Sequence, residues 1–241
     1  MHVTQMTLRH CRYIAIAAFL SATLAYASIS SAQTAADLYL TNANLIDPAA
    51  RRVRRANLLI RNGIITGTPS KVPADFAGRT LDLNGKWVIP GLVDLHTHTF
   101  GNMTANNPRP VDAPGPAGVA LRLLYAGITS FLDLFGNENQ LFTTREQQRA
   151  GQLGGADMFA TLTCITTPRG HGTQFGPWAR AVTSPEEARK AVEDLSGKRP
   201  DAVKIIYGLG TAMPSIDRAT MFAAVAAARA KGLNDPRLKL P

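Results

Sequence analysis

The sequence predicts an α/β protein in which parallel strands alternate with helices, preceded by a small β-rich domain. Three observations support this prediction. β-rich runs with turn signals fill the chain up to about Gly85, strand and helix patterns alternate from Trp87 to about Leu233, and the strand at the junction ends in two histidines. Strands separated by helices form a parallel sheet, whereas runs joined by tight turns form antiparallel hairpins.

The first 32 residues differ in pattern from the rest of the chain. Basic residues precede an apolar run over positions 13–27, and small residues end at Ala32 before the polar Gln33. This order predicts a secretory signal peptide over residues 1–32 and a periplasmic or secreted mature protein. A membrane anchor is the alternative. We expect no stable anchor, since a spanning helix needs about 20 apolar residues and polar side chains interrupt this run.

Composition excludes several classes of protein. The chain of 241 residues is 45% hydrophobic and 18% charged, which is typical of a globular protein with a sizeable core. Its net charge is +9, and loss of the signal peptide lowers it by two. The densest basic cluster, Arg51–Arg55, lies between two β-rich runs and is interpreted as a solvated turn, so we expect no nucleic-acid partner. Cleavage leaves Cys164 as the remaining cysteine, which is expected to be a small buried side chain without a catalytic role.

The small β-domain is predicted over residues 33–86. Its β-rich runs cover residues 38–46, 57–66 and 80–83. Asn62-Gly63 is a strong hairpin turn signal. The domain boundary is expected near Gly85.

The second part, residues 87–241, is predicted to hold about four strand–helix units. The helix that opens at Ser184 has a cap residue, an N1 proline and first-turn acids in the expected order. Further helices are expected over residues 119–126, 138–152 and 215–231, and strands over residues 128–134, 158–165 and 202–207.

The strand at the junction carries the residues with the clearest chemistry. Side chains alternate along a strand, so Leu92, Asp94, His96 and His98 share one face. Two imidazoles on one face predict a metal site. The alternative is a buried strand whose histidines only satisfy hydrogen bonds.

The stretch from Val88 to His98 resembles the end of the first barrel strand of the amidohydrolase superfamily, a group of metal-dependent hydrolases. The loop Gly170–Gly172 and the strand 201–207 are similar to the branch with imidazolonepropionase-like and Xaa-Pro dipeptidase-like enzymes. The resemblance implies a partial TIM-like (β/α) barrel behind the N-terminal part of a β-sandwich-type domain of the urease composite kind.

The same resemblance implies roles for single residues. His96, His98 and Lys204 would be metal ligands, with Lys204 carboxylated and bridging two ions, and His171 would contact the substrate. The cofactor would be one or two divalent ions, with zinc preferred, that activate a water molecule. Alternatives stay open: Lys204 as a structural lysine that reaches solvent, and His171 as a loop histidine without a role. Asp94 and Asp133 are interpreted as supporting residues that do not bind the metal.

These features predict a metal-dependent amidohydrolase that cleaves carbon-nitrogen bonds in a small-molecule substrate such as a non-peptide amide, a lactam or a dipeptide. In the family, further ligands come from strands five and six and the catalytic base from strand eight. Since residues 87–241 hold about four units and a closed barrel needs at least about 200 residues, we expect a truncated barrel. The alternative function is therefore a truncated, inactive remnant, and pairing with a second copy stays open.

Overall fold

The computed structural model describes residues 37–100, 114–208 and 212–233. The chain forms two compact units, which meet in the sequence between Pro90 and Gly91. The predicted signal peptide and the segment after Leu233 lie outside the described residues. Among the described helices, none combines the length and apolar character needed to cross a membrane.

The first unit is a five-stranded sheet. Its strands are β1 (Leu38–Asp47), β2 (Arg52–Arg61), β3 (Ile64–Gly67), β4 (Arg79–Asp82) and β5 (Trp87–Val88). The order is β3-β2-β1-β4, and β5 also pairs with β1. β1, β2 and β3 are antiparallel neighbours, whereas β4 and β5 run parallel to β1.

The hairpin between β2 and β3 turns where the sequence predicts it. Asn62 and Gly63 both have positive φ angles, 50° and 77°, which match the two central residues of a type I′ turn. The interpretation of Arg51–Arg55 as a turn was wrong. Arg51 alone lies in the turn, and residues 52–55 pair with β1 as part of β2. The cluster is solvated as expected, and a strand accommodates it because these side chains lie on the exposed part of the sheet.

The second unit alternates strands with helices, which confirms the mixed α/β class. Its first half contains β6 (Leu92–Thr97), α1 (Gly115–Tyr125), β7 (Ile128–Asp133), α2 (Glu138–Arg149) and β8 (Asp157–Ala160). Its second half contains β9 (Cys164–Thr166), β10 (Arg180–Ala181), α3 (Pro185–Ser196), β11 (Lys204–Ile205) and α4 (Arg218–Ala230). The strands form two parallel sheets, β6-β7-β8 and β10-β9-β11.

The predicted strand over 158–165 is two strands in the structure. Leu162 is fully buried and has a φ of 67°, a left-handed conformation that ends the extended backbone after β8. β8 pairs with β7, whereas β9 pairs with β10 and β11. The break therefore lets one stretch of chain join two sets of neighbours.

Helix ends follow their capping residues. The side chain of Ser184 accepts a hydrogen bond from the Glu187 N–H (3.2 Å), as its position before Pro185 predicts. α4 begins later than expected because the Asp217 carboxylate accepts from the Thr220 N–H (2.6 Å) and fixes the start at Arg218. The strand predicted over 202–207 pairs only at Lys204 and Ile205.

A buried ion network ties α2 to the segment before β11. The Arg145 side chain has no exposed surface and donates to Asp201 Oδ2 (2.9 Å) and to the Lys198 carbonyl (3.2 Å). Asp201 also accepts from Arg149 (2.6 Å) and from the Ala160 N–H (2.9 Å). The network therefore holds the carboxyl end of β8 and the approach to Lys204 at fixed positions.

Candidate metal centre

His96 and His98 lie together at the carboxyl end of β6. Their ring centres are 5.3 Å apart, with the planes at 75°, and both side chains are exposed to solvent. Nδ1 of His98 lies 3.3 Å from the Phe135 carbonyl oxygen. Because a carbonyl oxygen only accepts, Nδ1 carries the hydrogen and Nε2 stays free to bind a ligand, as in most metal-binding histidines.

The separation of the two rings fits a shared metal ion. A zinc–nitrogen bond of about 2.1 Å places the ion about 3.2 Å from each ring centre, so two rings at a tetrahedral angle lie about 5 Å apart. Imidazole nitrogen is also a preferred zinc donor. The described residues hold no cluster of three or more His, Cys, Asp or Glu side chains placed for a metal. A third protein ligand from these ranges would therefore have to be another type of side chain.

Lys204 is the residue that the sequence predicts as a third ligand. It begins β11, is partly buried and pairs in register with Cys164 of β9. Desolvation is the main reason that the pKa of His98 is lowered, and the charges of His96, Lys204 and His171 lower it further. His98 therefore lies within electrostatic range of the other three basic groups. The structure places His96 and His98 next to each other, and the metal-ligand role of Lys204 stays a prediction.

His171 lies on a loop that passes close over β9. A Cβ atom on Gly172 would come within 2.9 Å of Cys164 Sγ, and Gly172 has a φ of 103°. Glycine is thus required there, as the flanking glycines predict. Gln174 Nε2 contacts His171 Nδ1 at 2.9 Å, and because an amide nitrogen only donates, the His171 hydrogen is on Nε2. The exposed Nε2–H is free to donate to a substrate oxygen.

The two aspartates support the backbone, which matches their interpretation. Asp94 accepts from the His96 N–H (2.9 Å). The fully buried Asp133 accepts from the N–H groups of Thr99 (2.7 Å) and Phe135 (2.9 Å). Asp133 therefore fixes the segments that follow β6 and β7, and burial raises its pKa to about 6 against these hydrogen bonds.

Aromatic residues next to the histidines were missed by the sequence reasoning. Phe100 is 5.4 Å from His98 between ring centres, Phe135 is 6.4 Å from His98, and Phe175 is 5.8 Å from His171. Trp178 lies 5.7 Å from Phe100. Phe100 and Phe135 come shortly after the carboxyl ends of β6 and β7, which is a signal that could have grouped these two, whereas Phe175 and Trp178 lie in the segment between β9 and β10.

The fold is similar to solved structures of peptide-cleaving enzymes. An Xaa-Pro dipeptidase with bound methionine superposes with a TM-score of 0.68 and 24% identity, over 81% of this chain and 55% of that one. A Bifidobacterium longum protein provisionally called a prolidase gives a TM-score of 0.66 and 29% identity, over 82% of this chain and 48% of that one.

Curated relatives match shorter stretches. The adenine deaminase of Lactobacillus delbrueckii subsp. bulgaricus is 35% identical over 71 residues, 30% of this chain and 13% of that enzyme. The imidazolonepropionase of Acinetobacter baumannii is 53% identical over 36 residues, 14% of this chain and 9% of that enzyme. No family model matches the chain. These similarities support a place for the chain in the amidohydrolase superfamily.

These relatives and solved structures confirm the resemblance drawn from the stretch that ends at His98. The chain spans about half the length of the solved structures it matches, 55% and 48%. Its matches to the curated relatives cover a smaller share, 13% and 9% of their length. These relatives are amidohydrolase-family hydrolases that act on carbon-nitrogen bonds.

Proposed function

We propose that this amidohydrolase hydrolyses a carbon-nitrogen bond in a non-peptide amide, a lactam or a dipeptide, with a divalent metal, preferably zinc, at His96 and His98. The observation that carries the proposal is the 5.3 Å separation of the two rings at the carboxyl end of a parallel strand. Active sites of barrels built from such strands lie at this end. The similarity to amidohydrolase-family hydrolases supports the same chemistry.

The proposal includes the finer architecture. The second unit would be the first four strand–helix units of a TIM-like barrel. Its strands would be β6, β7, the consecutive segments β8 and β9 counted as one strand, and β11. Their parallel pairing supports this assignment. The first unit would be the N-terminal part of a β-sandwich-type domain, supported by the antiparallel pairing of β1, β2 and β3.

Each residue has a role in the proposed reaction. His96 and His98 would hold the ion, and His98 is oriented by the Phe135 carbonyl. Lys204 would bind as a carbamate, formed when its neutral amine adds to carbon dioxide and releases a proton. A bound divalent ion supplies an activated water and polarises the scissile carbonyl. His171 would donate from Nε2 to a substrate oxygen and position it for attack.

The test combines metal content with turnover. The protein from Gln33 onward, loaded with zinc, is assayed by metal analysis and against a panel of dipeptides and lactams. We expect His96→Ala and His98→Ala to lose bound zinc and turnover together. His171→Ala should keep its zinc and raise KM. Zinc retained by both histidine variants would contradict the proposed centre.

A non-catalytic relative is the second candidate. It is favoured by the donor set, since the described residues contain no cluster of three or more His, Cys, Asp or Glu side chains that could hold a metal. A catalytic zinc normally has three protein ligands, so two histidines alone would bind it weakly. Zinc binding without hydrolysis of any panel member would support this candidate.

A further inference from the structure

An aromatic cluster lies beside the candidate metal centre, and its rings supply no metal ligand. It consists of Phe100, Phe135, Phe175 and Trp178. Phe100 is in contact with all three other rings, at 5.6 Å from Phe135, 5.8 Å from Phe175 and 5.7 Å from Trp178 between centres. Phe135 lies 6.2 Å from both Phe175 and Trp178. Every ring is thus held by at least two others.

The cluster is joined directly to the histidines. Phe100 and Phe135 contact the ring of His98, and Phe175 meets the ring of His171 edge-on at 89°. A group bound between His98 and His171 would therefore touch aromatic surface.

The cluster differs from an ordinary hydrophobic core because three of its four rings are partly exposed. Phe135 is 4% exposed and anchors the cluster, whereas Phe100, Phe175 and Trp178 are only partly buried. The backbone that carries them is fixed: Asp133 binds the N–H of Thr99 and of Phe135, and the Thr163 hydroxyl donates to the Trp178 carbonyl. Rigid, partly exposed aromatic rings offer contact area at low entropic cost.

We infer that the aromatic cluster binds an apolar side group, aromatic or large aliphatic, of the substrate and sets the preference of the proposed amidohydrolase centre. The reaction in this inference rests on the proposed function, whereas the preference for an apolar side group rests on the ring contacts. Aromatic faces also attract cations, but here the neighbouring groups are His96, His98, His171 and Lys204, all of them basic. A cationic side group is therefore disfavoured beside them.

The test is a binding measurement that needs no turnover. The sequence has two tryptophans, so Trp87→Phe leaves Trp178 as the single one. Trp87 belongs to the other unit and is 62% exposed, which makes this background mild. Three probes are titrated into the zinc-loaded protein: N-acetyl-phenylalaninamide, N-acetyl-glycinamide and N-acetyl-argininamide. Calorimetry measures affinity, and emission excited at 295 nm reports on the Trp178 environment.

We expect the phenylalanine derivative to bind at least about tenfold tighter than the glycine derivative and to shift Trp178 emission to shorter wavelength, because burial of a benzyl group is worth that factor. Phe175→Ala should remove the preference and Phe175→Leu should retain part of it. Phe222→Ala is the matched control, since Phe222 is an exposed phenylalanine of α4, and it should leave the preference unchanged.

Equal affinity for the phenylalanine and glycine probes, or tighter binding of the arginine probe, would overturn the inference. The comparison of probes on the Trp87→Phe protein does not depend on whether Phe175→Ala folds. Failure of the proposed function looks different: no turnover and no zinc at the histidines, with the phenylalanine preference intact. Turnover without that preference would refute the aromatic cluster alone.

Discussion

Replacement of Arg145 by methionine tests whether the buried ion network holds the second unit together. Arg145 is the largest fully buried side chain among the described residues, and its guanidinium contacts Asp201, Glu146 and the Lys198 carbonyl. Methionine keeps the unbranched apolar stem and removes the charge together with every hydrogen bond. The Lys198 carbonyl and Asp201 Oδ2 then each lose one partner.

The magnitude follows from the partners that remain. Loss of one member of a buried ion pair costs about 3–5 kcal/mol, because the other charge stays buried without compensation. Asp201 keeps Arg149 at 2.6 Å and the Ala160 N–H at 2.9 Å, so its charge is still paired and the cost lies near the lower end. A loss of about 3 kcal/mol lowers Tm by about 10 °C for a chain of this size.

The assay is urea unfolding of the protein from Gln33 onward, followed by circular dichroism. Arg189→Met is the control, since the Arg189–Glu186 pair is exposed at 57% and 78% and should contribute under about 1 kcal/mol. Because Asp201 precedes Lys204 by three residues, Arg145→Met should also weaken zinc binding. A cost for Arg145→Met no larger than that for Arg189→Met would refute the role given to the network.

Three further predictions follow. Burial raises the pKa of Asp133 to about 6, so the folded protein favours the protonated carboxyl. The resulting stabilisation is complete below pH 3.8 and is lost as pH rises through 6, which lowers the unfolding free energy by about 3 kcal/mol. The difference in unfolding free energy between pH 4.5 and pH 7 should therefore shrink in Asp133→Asn and not in Asp157→Asn, a change at an exposed aspartate. Burial also raises the pKa of the Cys164 thiol to about 12, so a disulfide reagent at pH 8 should label the folded mature protein far more slowly than the protein in urea, and equal rates would contradict this burial. The mature protein should begin at or near Gln33 after export, and mass spectrometry that finds intact Met1 on a cytosolic species would contradict the signal peptide.

Local signals predicted the parts of the fold that depend on neighbouring residues. The Asn62-Gly63 turn and the Ser184 cap are encoded within a few positions of where they act, and the structure contains both. The alternation of helices and strands in the second unit is likewise a local pattern. Helix boundaries differ from the prediction where another side chain caps the helix. In α4 the cap is Asp217, so the helix begins after it and not at Ser215.

Features that depend on distant residues were not predictable in this way. Arg145 and Asp201 are 56 positions apart, and an arginine on a polar helix face looks like a solvated side chain until the fold buries it. The positive φ of Leu162 could not be predicted, because leucine rarely adopts that conformation. The surrounding core must hold it there. For the candidate site, the histidine spacing pointed to His96 and His98, but nothing in the sequence linked them to Phe175 and Trp178.

The break at Leu162 connects the fold to the candidate site. A continuous strand from Asp157 to Thr166 would keep one register with its neighbours along its whole length, whereas the two segments pair with different strands. In the second segment, Cys164 stands opposite Lys204, and the Thr163 hydroxyl holds the carbonyl of Trp178. The same three-residue interruption therefore positions both the third candidate ligand and one ring of the aromatic cluster. A left-handed conformation at a non-glycine residue costs about 1–3 kcal/mol, so the core around Leu162 must hold it there, next to the candidate site.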